Sequence, residues 1–94
     1  MIIAVDFDGT LCINGKPNIN LIRSLMQRQR MGDEIILWTC REGKTLIEAV
    51  SFLRKYGFMP KFVNCNTRTA IKKIGHDSRK VYADVYLDDK NCRL

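Results

Sequence analysis

The sequence predicts a doubly wound α/β domain: a mostly parallel sheet of about four strands, with helices on both faces and no cap domain. Three observations carry this expectation. Short continuous apolar runs at residues 1–5 and 35–38 read as buried strands, and residues 61–63 and a part of 81–87 read as two further strands. Amphipathic stretches lie between them, and strand–helix alternation is the signature of helices packed on a parallel sheet. Carboxylates or a threonine stand directly after three of the runs: Asp6 and Asp8, then Thr39, then Asp88 and Asp89. Ninety-four residues make one domain, residues 1–94, with one small core.

Each element has its own reason. Met1, Ile2, Ile3, Ala4 and Val5 are apolar and mostly β-branched, which suits a buried strand. Residues 9–17 are polar and turn-rich, with a tight turn at Asn14-Gly15. Asn18 or Asn20 can cap a helix beginning near Ile19. Its apolar stripe is Ile19, Ile22, Leu25 and Met26, with arginines opposite, and Gly32 closes it in a left-handed cap. Residues 35–38 form the second strand, which places Trp38 in the interior, where it is unable to stack on a ligand. Residues 43–56 follow as a helix with Leu46, Val50 and Leu53 on one face, closed by Gly57. Residues 61–63 are a short strand, 67–74 a weakly patterned helix, and 81–87 contain the last strand.

Composition excludes several classes. Apolar residues are 46% and charged residues 28%, as in a soluble globular protein. No apolar run approaches the roughly 20 residues of a membrane span. The apolar start runs straight into an acidic motif, unlike a signal peptide or anchor, so a cytoplasmic protein without membrane contact is expected. Cys12, Cys40, Cys65 and Cys92 are widely spaced, which argues against a zinc or redox motif and for free thiols. Cys40, beside Thr39, is either a reactive thiol or a buried one. The net charge of +6 draws anions and suits a phosphorylated or polyanionic substrate. The basic residues cluster at 23–30, 68–73 and Arg79-Lys80, although the first cluster also reads as a solvated helix face.

Right-handed crossovers bring the carboxyl ends of all parallel strands to one edge, where open α/β sheets bind ligands. Asp6, Asp8, Thr39, Asp88 and Asp89 should therefore converge. Neighbouring carboxylates repel unless a cation or a proton lies between them. An oxygen-rich site of this kind suits Mg2+, which takes a few carboxylates together with water and substrate phosphate. His76 is the only histidine, so soft-metal readings are weak. One carboxylate can attack phosphorus while another handles the proton. Thr39 can donate to a phosphoryl oxygen, and a lysine can neutralise developing charge. Gly9 and Thr10 of the first loop, with Cys40 and Arg41 after the second strand, are the candidate substrate contacts. Arg41 either offers its planar fork to a second phosphate or carboxylate, or pairs with Glu42 or another acid at the helix start. The plain alternative for the whole first motif is a solvated turn pivoting on Gly9.

Asp6-Phe7-Asp8-Gly9-Thr10, then Thr39 after a hydrophobic strand, then a lysine, then Asp88-Asp89, resembles the haloacid dehalogenase (HAD) superfamily of aspartate-nucleophile phosphatases. The ordered set spans nearly the whole chain. The resemblance implies Asp6 as nucleophile and Asp8 as general acid/base, with Asp8 also offering its backbone carbonyl to the metal. It implies Thr39 as phosphoryl contact, Asp88 as direct magnesium ligand and Asp89 as a direct or water-mediated one. Lys80, eight positions before Asp88, is favoured over Lys73 as the catalytic lysine, as in a small HAD subgroup with a similar lysine. The expected activity is hydrolysis of a phosphate monoester, on a phosphorylated small molecule or nucleotide, through an aspartyl-phosphate. One alternative is the 3′ or 5′ phosphate of a nucleic-acid end. The other is a catalytically silent HAD-like or receiver-like module that binds metal or a phosphoryl group. Receiver domains carry their acidic pair after the first strand, whereas this chain carries it last. Only five residues follow Asp89, where longer relatives continue, and this keeps the silent module in view. Open sheet edges and the missing cap imply a homo-oligomer.

Overall fold

The computed structural model describes residues 1–75 and 81–88. Four parallel strands build the sheet: β1 (Ile2–Val5), β4 (Glu34–Leu37), β5 (Phe62–Val63) and β6 (Val85–Leu87). A small antiparallel hairpin, β2 (Cys12–Ile13) with β3 (Lys16–Pro17), stands apart from it. The helices are α1 (Ile19–Arg30), α2 (Gly43–Lys55) and α3 (Arg68–Ile74).

The sheet order is β5-β4-β1-β6. The chain steps outward from β1 to β4 and β5, then returns past them to lay β6 on the other side of β1. The order reverses between β1 and β6, and a crevice opens outside the carboxyl ends of strands at such a reversal.

Pleating sorts the side chains into two cores. Ile3, Val5, Ile35, Leu37 and Leu87 face α1 and α2, where they meet Ile22, Leu25, Ala49 and Leu53. Ile2, Ala4 and Ile36 face α3 and pack with Ala70, Val81 and Ala83. The result is a three-layer, Rossmann-like α/β fold. All four β1 residues are buried, as a central strand covered on both faces requires. Full burial of one such Ile or Leu stabilises by about 1.5–3 kcal/mol.

Caps set the helix limits. Asn18 accepts from the Leu21 N–H at 3.4 Å, and its Nδ2 donates to the Thr10 carbonyl at 3.0 Å. That second bond ties the start of α1 to the loop after β1. Thr67 caps α3 by accepting from the Ala70 N–H at 3.1 Å. Glu42 precedes α2 without a side-chain cap.

Two features differ from the sequence reading, the hairpin and Trp38, and the last strand is narrowed within the expected 81–87. The loop at 9–17 contains a paired hairpin as well as a turn. Asn14 and Gly15 have φ of 52° and 77°, the left-handed pair that matches the twist of a two-residue hairpin. The last strand covers only Val85–Leu87, because the N–H groups of Tyr82 and Ala83 donate to Asn66 Oδ1 (2.6 Å) and the Tyr86 hydroxyl (3.0 Å) instead of to a neighbouring strand. Trp38 lies beyond β4 and is 41% exposed, not interior. Among the described residues no cap domain interrupts the sheet, and no helix is long and apolar enough to cross a membrane.

Candidate functional site

The carboxyl edge of the sheet carries a cleft of about 240 Å³, lined by Asp6, Thr39, Cys40 and Asp88 with Ala4 beneath. Strand bonding continues one residue past the named elements. Asp6 N–H donates to the Leu87 carbonyl and Trp38 N–H to the Val5 carbonyl, each at 2.9 Å. Alternation along these extended backbones therefore holds at the strand tips. Asp6 follows Ala4, Trp38 follows Ile36 and Asp88 follows Tyr86 on the α3 face of the sheet. Asp6 also accepts from its neighbour's N–H, Phe7, at 2.7 Å. Beyond it the chain folds back tightly, with the Phe7 carbonyl accepting from Leu11 and Cys12 at 3.0 Å and Gly9 at a φ of 78°.

Thr39 is nearly buried at the tip of β4. Its N–H donates to Asn64 Oδ1 at 2.8 Å, and its hydroxyl accepts from the Arg41 N–H at 3.1 Å. Asn64 also donates its own N–H to the Leu37 carbonyl at 2.8 Å. One asparagine, held at a φ of 52°, thus brackets the end of β4 from both sides. The sequence reading passed over this residue. Its signal was an asparagine directly after a short strand, a residue type that tolerates left-handed backbone.

Asp8 points elsewhere. Arg41 grips it in a two-pronged pair, Nε to Oδ2 and Nη2 to Oδ1, both 2.8 Å. The same guanidinium donates to the Thr45 carbonyl at 3.1 Å and lies 4.8 Å from the centre of the Phe7 ring, a cation–π contact. The hydrogen bonds from Arg41 hold the Asp8 carboxyl below the ordinary carboxylate range, against the opposing effect of burial. Of the two roles anticipated for Arg41, the structure has the ion pair, and the partner is Asp8 rather than Glu42. Neither Asp8 nor Gly9 nor Thr10 lines the cleft. Thr10 is 1% exposed, and its hydroxyl is buried without a partner among the described residues. As a substrate contact Thr10 is therefore out of reach in this arrangement.

Lys73 lies at the opposite edge. It lines a hollow with Met1, Ile2 and Asp84 at the amino ends of the strands, far around the sheet from the tips that carry Asp6. Lys80 and Asp89 fall outside the described residues. Among the described residues no three His, Cys, Asp or Glu side chains are grouped to hold a metal. The cleft itself brings two carboxylates, Asp6 and Asp88, to one space.

Two aromatic side chains complete the cleft wall. Trp38 and Tyr86 sit with ring centres 5.3 Å apart and planes at 55°. The Tyr86 hydroxyl donates to the Val81 carbonyl at 2.6 Å and accepts from the Ala83 N–H at 3.0 Å, which fixes its ring.

A larger hollow, about 860 Å³, opens at the amino edge near Met1, Asp33 and Lys61. Of its two acids, Asp33 is already engaged. Asp33 binds the Met1 ammonium at 3.0 Å and Arg28 at 3.4 Å, and the ammonium is the main cause of its lowered pKa. The strand-tip groups of the carboxyl edge are absent from this hollow.

No protein-family model matches the sequence, and no curated protein matches it. Among solved structures, the chain is similar to the conserved protein coded by a locus of Bacteroides thetaiotaomicron. The two are 33% identical, the match covers 97% of this chain and 77% of that one, and the TM-score is 0.82. At that identity, over nearly the whole of this chain, the chain belongs to the same family as the conserved Bacteroides protein.

Proposed function

We propose that this chain is a magnesium-dependent phosphatase of the HAD type, acting on a phosphate monoester through an aspartyl-phosphate on Asp6. One observation supports the reading above the others. Asp6, Thr39 and Asp88, far apart in sequence, share one small cleft at the sheet's order reversal. This is the convergence that the ordered motif demands.

In the first half of the reaction an Asp6 carboxylate oxygen attacks phosphorus. The P–O bond to the leaving alcohol breaks, and the alkoxide takes up a proton. In the second half water attacks the same phosphorus, the P–O bond to Asp6 breaks, and the carboxylate and inorganic phosphate are released. The net change is ester plus water to alcohol plus phosphate. Thr39, its backbone held by Asn64, would donate its hydroxyl to a phosphoryl oxygen. The Asp6 and Asp88 oxygens are hard donors of the kind magnesium takes alongside substrate phosphate. When bound there, the ion would neutralise charge on the phosphoryl oxygens.

Asp8 is ionised in the Arg41 fork and stands outside the cleft. Both of its proton transfers, giving one to the leaving alkoxide as the acid and taking one from water as the carboxylate, therefore require the fork to open, and the first also requires Asp8 to be protonated before it gives the proton up. This grip also favours a second reading, a phosphoryl-binding module that turns over nothing.

Phosphate release from a panel of monoesters with magnesium separates the two. Turnover that falls by several orders of magnitude in Asp6→Asn, with unchanged thermal unfolding, is the expected result. Equal rates in wild type and Asp6→Asn exclude the mechanism, and binding without release identifies the silent module.

A further inference from the structure

We propose that Trp38 and Tyr86 form a stacking platform for a planar ring carried by the substrate, so that the cleft prefers nucleoside 5′-monophosphates to bare sugar phosphates. The proposal rests on the phosphatase reading of the same cleft.

Both rings belong to the cleft that holds Asp6 and Asp88. They are 41% and 38% exposed, although an indole and a phenol of this size ordinarily contribute to a core. The pleat puts them there. Ala4 pairs in register with Ile36 on one side and Tyr86 on the other, and Trp38 continues the Ile36 face. Ala4 has only a methyl group, so no side chain of the central strand fills the space between its bulky neighbours. The Tyr86 ring is pinned through its hydroxyl to Val81 and Ala83, so little ordering remains to be done when a ligand arrives. The two planes meet at 55°, which presents an angled wall and not a closed stack.

Size and charge narrow the occupant. A cleft of about 240 Å³ is smaller than pockets that enclose a whole drug-sized ligand, which start near ~300 Å³. It accommodates a phosphoryl group and adjoining atoms, and leaves the far ring of the ligand against the exposed aromatics. A nucleic-acid end fits less well. Strand binding uses a basic groove and a succession of stacking side chains. Among the described residues the cleft offers one ring pair, and nearby Arg41 is committed to Asp8. A single nucleotide matches one phosphoryl site beside one platform.

Adenosine 5′-monophosphate and ribose 5-phosphate make a matched pair, since both are primary alkyl esters and they differ by the base. Stacking of one base is worth enough to expect about a tenfold or greater advantage in kcat/KM for the nucleotide. Trp38→Ala should bring the ratio close to one, and Trp38→Phe should retain part of it. Trp38 is also the sole tryptophan, so its fluorescence reports the platform without turnover. In Asp6→Asn with magnesium, adenosine 5′-monophosphate should quench it saturably and ribose 5-phosphate should not. A wild-type ratio near one, or a ratio untouched by Trp38→Ala, with hydrolysis still dependent on Asp6, overturns the platform and leaves the phosphatase reading standing. A 5′-phosphorylated oligonucleotide preferred tenfold over the mononucleotide overturns the mononucleotide assignment. Absence of Asp6-dependent hydrolysis of any ester is a failure of the phosphatase reading. In that case, selective quenching by the nucleotide in wild type still supports the platform, and no quenching overturns it.

Discussion

The two edges of the sheet use similar side chains to opposite ends. At the amino edge, charged and polar groups close on one another. The Met1 ammonium and Arg28 bind Asp33, while Asp84 accepts from the Ile2 N–H and the Tyr82 hydroxyl. At the carboxyl edge, Asp6, Thr39, Cys40 and Asp88 gather around a shared space. The larger hollow is at the amino edge and the smaller at the carboxyl edge. The smaller of the two is the one that gathers the residues of the ordered motif. What sets the carboxyl edge apart is that strand geometry brings Asp6 and Asp88, far apart in sequence, to one cleft.

Substitution of one aspartate at each edge makes the sharpest contrast. Asp6→Asn should abolish phosphate release by several orders of magnitude, whereas Asp33→Asn should leave kcat/KM unchanged and only lower thermal stability at neutral pH. An equal loss from both would erase the distinction. The next largest effect is expected on metal binding. Asp88→Asn should weaken magnesium affinity about tenfold or more, read by metal titration of activity or calorimetry, while Asp84→Asn should not move it.

Asn64→Gly tests the bracket on β4. Glycine keeps the positive φ and deletes the acceptor for the Thr39 N–H. A loss of about one hydrogen bond, ~1 kcal/mol, is expected in thermal unfolding, with a several-fold drop in kcat as Thr39 loosens. A drop in stability with no change in kcat would make Asn64 purely structural.

The smallest effect concerns Asp8 and Arg41. A carboxylate with a lowered folded pKa adds stability above its unfolded pKa and loses it as pH falls through the folded value. Arg41→Ala should therefore cost stability at neutral pH, and the electrostatic part of that cost should vanish below the ordinary carboxylate range. The pair is largely solvent-exposed, so that part should be only ~0.2–1 kcal/mol. The Asp8 titration followed by NMR should shift upward in the variant.

Much of this was legible in the sequence, because burial on both faces leaves a strong mark. The continuous apolar run from Ile2 to Val5 could hardly be anything but a central strand. The alternation that followed also led to parallel order, and hence to a common edge for Asp6, Thr39 and Asp88. Other features depend on contacts that no local pattern encodes. The hairpin at Cys12–Ile13 and Lys16–Pro17 is too short to show alternation, and only its turn was visible. Trp38 ended an apolar run and so read as interior, but it falls one residue past the paired strand. The partner of Arg41 lies 33 residues away at Asp8, so proximity in sequence pointed wrongly to Glu42. Lys73 shared its spacing with functional lysines but occupies the far edge, which only the direction of α3 determines.

The central position of β1 has a consequence for when the cleft comes into being. β1 is made first, yet one of its two neighbours is β6, and the Ile2–Asp84 contact beside that pairing closes a loop of 82 residues. Long closures of this kind are slow, since chain entropy is lost before the contact gains anything. A nascent chain can assemble β1, α1 and β4 well before β6 leaves the ribosome. Asp6 and Thr39 would then wait at an unfinished edge until Asp88 and Tyr86 arrive with the last strand. Competence for chemistry would therefore appear late and in one step, when the strand that carries half the cleft docks against the strand that began it.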